Sequence, residues 1–227
     1  MKKLLFLIFF SSIFYACPGP IENDPECNRV WFDFSIPVDF SPSASVLKIG
    51  DTITITSRFP NKIWDVDSSD QFVFDSIDFH NTCGIHKIDT FNGTKEEYST
   101  FKNFDILIDE ARFNYKKANI SFSFDYEYIN KEYYVQFKLI PKYKGVYYFA
   151  FSSILNAGDD FEEPQKIYSE LSGCVTERWN PDFITNRGIG NNKEFLKLSP
   201  DKYFNTTAYE AWNAKNTNVG VHLFKVE

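Results

Sequence analysis

The sequence predicts an all-β protein, mainly antiparallel: an immunoglobulin-like β-sandwich, in the loose architectural sense, with short C-terminal helical segments. Three observations predict it. Aromatic side chains make up 19% of the 227 residues, with 25 Phe and 13 Tyr, and such side chains fit the pleated, half-buried surface of a sheet. Apolar residues recur at a spacing of two over long stretches, the period of a strand with one buried face. Turn-forming pairs such as Gly50-Asp51 and Asn130-Lys131 separate those stretches. A hydrophobic content of 43% excludes a disordered chain.

Val30, Phe32, Phe34, Ile36, Val38 and Phe40 alternate with polar positions and predict a first half-buried strand. Leu47, Ile49, Ile53 and Ile55 repeat the period around Gly50-Asp51, with Thr52, Thr54 and Thr56 on the other face, so a second strand is expected to about Arg58. Phe72 and Phe74 fall in one phase and Ile77 and Phe79 in the other, which predicts a bulge near Asp75-Ser76 or a strand end. Residues 80–100 are polar and Gly-punctuated and read as a long connection with one short strand at 85–88. Phe104, Ile106 and Ile108 form the next run. Ile120, Phe122, Phe124, Tyr126 and Tyr128, then Asn130-Lys131, then Tyr133, Val135, Phe137 and Leu139 predict a hairpin. Pro141 to Gly145 turns the chain into residues 146–151, apolar on both faces as in a central strand, and the three strands are expected to form a meander. Residues 164–171 suggest helical turns. Thr207-Ala208-Tyr209-Glu210 has capping-box spacing and predicts a short helix through about Lys215. A strand at 219–226 closes a count of seven to nine.

The first seventeen residues, MKKLLFLIFFSSIFYAC, carry a basic start, an apolar run and a small residue directly before a cysteine. The 13 residues from Leu4 to Ala16 are too few for a spanning helix, which needs roughly 20. Two export readings remain: lipidation at Cys17, which is preferred, and ordinary secretion with cleavage after Ala16, which Phe14 leaves open by standing where a Leu is usual. The expected organisation is a lipoprotein signal peptide at 1–16, the lipidated cysteine and a flexible tether at 17–26, and one β-sandwich domain at 27–227. The tether, PGPIENDPE after Cys17, holds three prolines, a glycine and three acids. Removing the leader leaves 22 basic and 31 acidic side chains, a net charge of −9, which repels phosphate backbones and excludes nucleic acid as a partner. The remaining cysteines are Cys27, Cys83 and Cys174. One disulfide is expected, with three pairings open. Cys27–Cys174 is slightly preferred because it fastens the start of the fold to its C-terminal part, leaving Cys83 as the free thiol.

His80, Cys83 and His86 place three soft-metal ligands within seven residues, but not at zinc-ribbon or zinc-finger spacing, and they read as a polar loop. Asp65, Asp67, Ser69 and Asp70 fail as a calcium loop, since Asp70 stands where Gly is needed and Ser76 where the bidentate Glu belongs. Asp159, Asp160, Glu162 and Glu163 read as a solvated acidic turn. No metal, cofactor or catalytic residue is assigned. The chain lacks the Gly-x-Ser-x-Gly, His-Glu-x-x-His, P-loop and Rossmann motifs. Trp31, Trp64, Trp179 and Trp212 could stack sugars, with Trp31 the most open by its phase, although core or rim packing is the simpler reading.

The lipobox, the stretch from Val46 to Ile53 and the run from Lys138 to Tyr147 resemble uncharacterised secreted lipoproteins of Bacteroidota type. That resemblance implies an outer-membrane address, with Glu22, Asp24 and Glu26 similar to a surface-export signal, and Asp51-Thr52-Ile53 and Asp75-Ser76-Ile77 to O-glycosylation sites. The expectation is a lipid-anchored, non-enzymatic interaction or accessory module of the cell envelope. Its partners would be membrane lipid through Cys17 and an envelope protein or glycan. The alternatives are a glycan-binding surface lipoprotein and a hydrolase with an unrecognised carboxylate site.

Overall fold

The computed structural model describes residues 28–64, 71–74, 79–90, 101–117, 122–153, 175–188, 192–210 and 220–227. Fourteen strands are seen among them: β1 Asn28–Ser41, β2 Val46–Leu47, β3 Ile53–Pro60, β4 Lys62–Trp64, β5 Gln71–Val73, β6 His80–Lys87, β7 Phe104–Ile108, β8 Tyr115–Lys117, β9 Phe122–Asp125, β10 Glu127–Ile129, β11 Glu132–Pro141, β12 Gly145–Ser153, β13 Val175–Thr185 and β14 Val221–Val226. The chain is a β-sandwich. One sheet runs β10-β11-β3-β1-β13, with β7 also on β11, the other runs β2-β14-β12-β6-β9-β8, and β4 and β5 form a two-stranded ribbon. Most pairs are antiparallel, but β1 and β13 run parallel from Asn28↔Val175 to Val38↔Thr185, and β14 and β2 are parallel as well.

The period-two reading holds where it was clearest. Phe34, Ile36, Val38 and Phe40 of β1 and Tyr133, Val135, Phe137 and Leu139 of β11 are all buried. They meet inward residues of the facing sheet through ring contacts such as Phe40–Phe149 at 5.4 Å and Phe122–Phe137 at 5.1 Å. Edge-on and tilted packing of this kind adds about 0.5–1.5 kcal/mol per pair beyond the burial itself. The β10–β11 turn is made by Asn130 and Lys131, both at positive φ, as a two-residue hairpin matching strand twist requires. Val146 to Phe151 is central, between β14 and β6.

Several expectations are corrected. Residues 80–87 are not a polar connection but β6, an inner strand of the second sheet between β12 and β9. Its small inward residues Asn81 and Cys83 pass for loop composition yet are 1% and 0% exposed. The apolar run around residues 122–129 is two strands, not one. β9 bonds to β6 while β10 bonds to β11, and the chain changes sheet at Tyr126, so the meander does not form. The run from Leu47 to Arg58 is likewise divided between the sheets. Leu47 is buried, whereas Ile49, after which the Gly50-Asp51 turn reverses the chain, is 47% exposed. β3 ends at Pro60, within the Phe59-Pro60-Asn61 stop that the sequence signals, and the inward alternation resumes at Asn61 and, in the separate ribbon, at Ile63. β5 is a short ribbon strand, and the bulge expected at 75–76 lies outside the described residues, as do the helical turns at 164–171. β13 was not anticipated, because Arg178, Asn180, Pro181 and Asp182 interrupt its apolar period. The C-terminal helical turn starts at Lys202, with the Asp201 carboxylate accepting from the Tyr203 amide at 2.7 Å, so Thr207 lies inside it instead of capping it.

That turn, Tyr203–Ala208, and a 3-10 segment, Lys193–Leu198, cover part of the second sheet's outer face. Leu196 and Phe204 pack there on Ile88, Val146, Val221 and Leu223 as a small second core. β14 is therefore buried on both faces, and its His222 turns into the sandwich, stacked on Phe40 with centroids 4.3 Å apart and 1% exposed. The side chains of Phe183 and Phe151 leave no room for another at its start: a Cβ on Gly220 would lie 2.3 Å from Phe183 Cβ.

Phe124 is fully buried and Ser123 points outward to Thr82. Phe124→Ala is expected to cost about 3–5 kcal/mol and Ser123→Ala under about 1 kcal/mol, read from urea midpoints; equal losses would refute the register. Burial lowers the His222 imidazole from 6.5 to about 4. The unfolded chain then takes up the proton first, so stability falls as pH drops from about 6.5 to about 4, by up to about 3 kcal/mol. His222→Phe should flatten that part of the profile in denaturation series across this range.

Candidate functional site

The outward positions of the two sheets differ in chemistry. On the second sheet β6 sends Cys83 inward and His80 and His86 outward, so period two separates the three ligands that sequence spacing had brought together. His80 Nδ1 lies 2.5 Å from Asp125 Oδ1, and Asp125 Oδ2 accepts from Asn114 Nδ2 at 2.6 Å. Thr82 and Ser123 join hydroxyls in the next rung at 3.1 Å. These polar rungs tie β6 to β9. Cys83 contacts the Phe122 carbonyl at 3.4 Å, and burial pushes its thiol well above the ordinary range, so it stays protonated and inert.

On the first sheet, β11 turns Tyr134, Gln136 and Lys138 outward while β7 ends beside them. After β7 the chain bends at Asp109, whose carbonyl accepts from the amides of Arg112 and Phe113 at 3.1 and 2.9 Å. The bend leaves a groove of about 290 Å³, lined by Leu107, Asp109, Arg112, Phe113, Tyr134, Gln136 and Lys138. Its apolar wall is Leu107, 51% exposed, with Phe113 beneath. The Arg112 guanidinium lies 4.8 Å from the Tyr134 ring centre and 5.3 Å from that of Phe113, while its Nε donates to Glu127. Arg58 reaches the neighbourhood of the same ring at 6.0 Å and donates from Nε to Glu132 at 2.9 Å. Tyr134 thus stands between two arginines, each paired with a carboxylate of the β10–β11 hairpin. Gln136 donates to Thr56 at 3.2 Å, and Lys138 forms no ion pair among the described residues. The groove offers an apolar wall, a cation, a carboxylate and an amide, a set suited to holding an amphipathic segment by contact and hydrogen bonding.

Of the tryptophans, Trp64 is 61% exposed at the end of β4. The side chains of Trp31 and Trp179, and the whole of Trp212, lie outside the described residues, as do Cys17, Cys27, Cys174 and both acidic loops. Sequence reasoning missed the groove. Its one legible signal was Tyr134, an aromatic in the outward phase of a strand whose other phase is all apolar.

No family model and no curated protein matches this chain. Among solved structures it is similar to the human F-spondin reeler domain, at 13% identity over 56% of this chain and 80% of that one, with a TM-score of 0.32. It is also similar to a serine-rich repeat adhesion glycoprotein from Streptococcus agalactiae, at 12% identity over 54% and 43% of the two chains and a TM-score of 0.28. A third likeness is to the type II cohesin dyad of the adaptor ScaA scaffoldin of Acetivibrio cellulolyticus, at 10% identity over 65% and 48%, with a TM-score of 0.26. Scores of this size carry no inference about function.

A double-mutant cycle on Arg112→Ala and Tyr134→Ala should return a coupling of about 0.5–1 kcal/mol, the usual worth of an exposed cation–π pair. Additive losses would show that the guanidinium does not organise the groove.

Proposed function

We propose that this chain is a lipid-anchored binding module of the cell envelope, held by acylated Cys17 and engaging its partner through the outer face of the first sheet. The carrying observation is the groove beside β7 and β11, where Leu107 is left open among Asp109, Gln136 and Lys138. A protein segment with alternating apolar and polar side chains matches this lining. The glycan alternative is less well supported, because stacking a sugar needs an open ring face and the Tyr134 ring carries Arg112 over it. The hydrolase alternative calls for facing carboxylates, and the groove lining supplies one, Asp109. Among the described residues no helix is long and apolar enough to cross a membrane. The proposed attachment is through acyl chains at Cys17, supported by the basic start, apolar run and Ala16-Cys17 pair of the first seventeen residues, each buried methylene contributing about 0.8 kcal/mol.

Cys17→Ser is expected to leave the folded domain intact and release it from the membrane fraction. Intact mass should show acyl groups on a chain beginning at Cys17, and an unmodified chain would mean ordinary secretion. A photo-crosslinking side chain at Leu107 should give a discrete protein adduct on intact cells, whereas one at Lys117 on the other sheet should not. Equal labelling from both positions would refute the groove as the binding face.

A further inference from the structure

The ribbon of β4 and β5 has two unlike faces. Its register sets Lys62 opposite Val73 and Trp64 opposite Gln71, and because opposed residues and residues two apart share a face, these four side chains stand together. Ile63, between Lys62 and Trp64, turns the other way and is 7% exposed, in the sandwich core. The four are all open to solvent, with Trp64 61% and Val73 43% exposed. In a mature chain with more acids than bases, 31 against 22, this face carries an indole, a valine, an amide and a cation, and no carboxylate. An indole beside an aliphatic side chain, with a lysine whose stem lies along apolar surface while its ammonium reaches polar groups, suits a membrane–water boundary.

The position of the ribbon fits a lipid surface as well. β3 runs antiparallel to β1 and carries the chain back toward the end of the sandwich where β1 begins, and β4 continues in contact with β1. Just before β4, the Asn61 amide donates to the Lys131 carbonyl of the β10–β11 turn at 2.8 Å. The eleven residues from Cys17 to Cys27 lead into β1 at Asn28 and span at most about 40 Å when fully extended. A chain fixed to lipid at Cys17 therefore keeps the start of β1 near the bilayer, and the ribbon brings an open apolar face to that end. Exposed Val46 lies at the opposite end, where the Gly50 amide meets the Pro141 carbonyl at the close of β11.

We propose that the face made by Lys62, Trp64, Gln71 and Val73 rests in the headgroup layer of the membrane, with Trp64 and Val73 entering the boundary and Lys62 meeting lipid phosphates. The proposal rests on the lipid-anchored reading, because an acyl anchor supplies the local lipid concentration that so small a contact lacks. Tether and ribbon together stand the sandwich on this end, so the outer face of the first sheet, with its groove, looks sideways.

The test uses the whole exported protein on vesicles of zwitterionic phosphatidylcholine and phosphatidylethanolamine, since the chain's net negative charge repels anionic lipid. The chain has four tryptophans, so the Trp64 signal is read as the emission lost in Trp64→Phe. Lipid brominated high in its acyl chains should quench that signal about two-fold or more, and the membrane should shield it from aqueous acrylamide by a similar factor. Val73→Asp keeps Trp64 and should abolish both effects, whereas Val46→Asp at the opposite end should keep them. Cys17→Ser should need about 100-fold more lipid for the same quenching. A Cys17→Ser titration that matches wild type would remove the anchor and leave the ribbon contact standing. A Trp64 signal untouched by brominated lipid and open to acrylamide, in protein whose intact mass shows acyl groups, would overturn the ribbon contact and leave the anchor.

Discussion

The two sheets are one structure because of what happens at Tyr126. The inward alternation runs through Phe122, Phe124 and Tyr126 without a break, yet hydrogen bonding passes from β6 on one side of this residue to β11 on the other. Tyr126 makes the exchange possible. Its amide donates to the Phe79 carbonyl at 3.0 Å, and its hydroxyl donates at 2.8 Å to Ser57 Oγ, which donates in turn to the Pro37 carbonyl at 2.7 Å. Desolvation raises the phenol's pKa far above its ordinary value, so it remains a neutral donor. The chain of three groups spans β1, β3 and the crossing, satisfying polar atoms that would each cost about 1–3 kcal/mol if buried alone. Around it Phe59, Phe79, Phe124 and Tyr133 close as a ring cluster with centroid separations of 4.6–6.5 Å. Since β9 and β10 carry their sheets' registers away from this point, the position of the groove on β11 follows from it.

What could be read from sequence and what could not divide along a physical line. Period two reports which side of a strand is wet, so the inward faces of β3, of β11 and of the described part of β1, Phe34 to Phe40, were legible residue by residue. It carries no information about the partner strand, and residues 122–128 therefore looked like one hairpin arm while serving two sheets. Burial by neighbours on both sides also lets poor strand formers into the interior. β6 holds Asn81 and Gly84 because β12 and β9 flank it. β13 tolerates Pro181 for a related reason: it is the last strand in its sheet's order, where a missing donor costs least.

The candidate site shows a similar limit. Tyr134 could be picked out as an outward aromatic, but Arg112 and Leu107 come from separate segments and meet it through the bend at Asp109, which composition does not reveal. The motif that looked most chemical, His80 to His86, was dissolved by the strand period, which points its thiol and its imidazoles to opposite faces. In an aromatic-rich sandwich a constellation on paper has to survive this alternation before it can become a site.

The parallel partnership of the first long strand with one from the last quarter of the described chain sets the order of assembly. β1 finds β3 soon after both are made, but β13, and β14 beside β2, arrive only when nearly everything else has been synthesised. Contacts so remote in sequence form slowly, and until they form the exposed strand edges are open to wrong partners. The nascent chain thus passes through a long interval as a half-built sandwich, in which unpaired strand edges need shielding if the chain is to reach its final pairing.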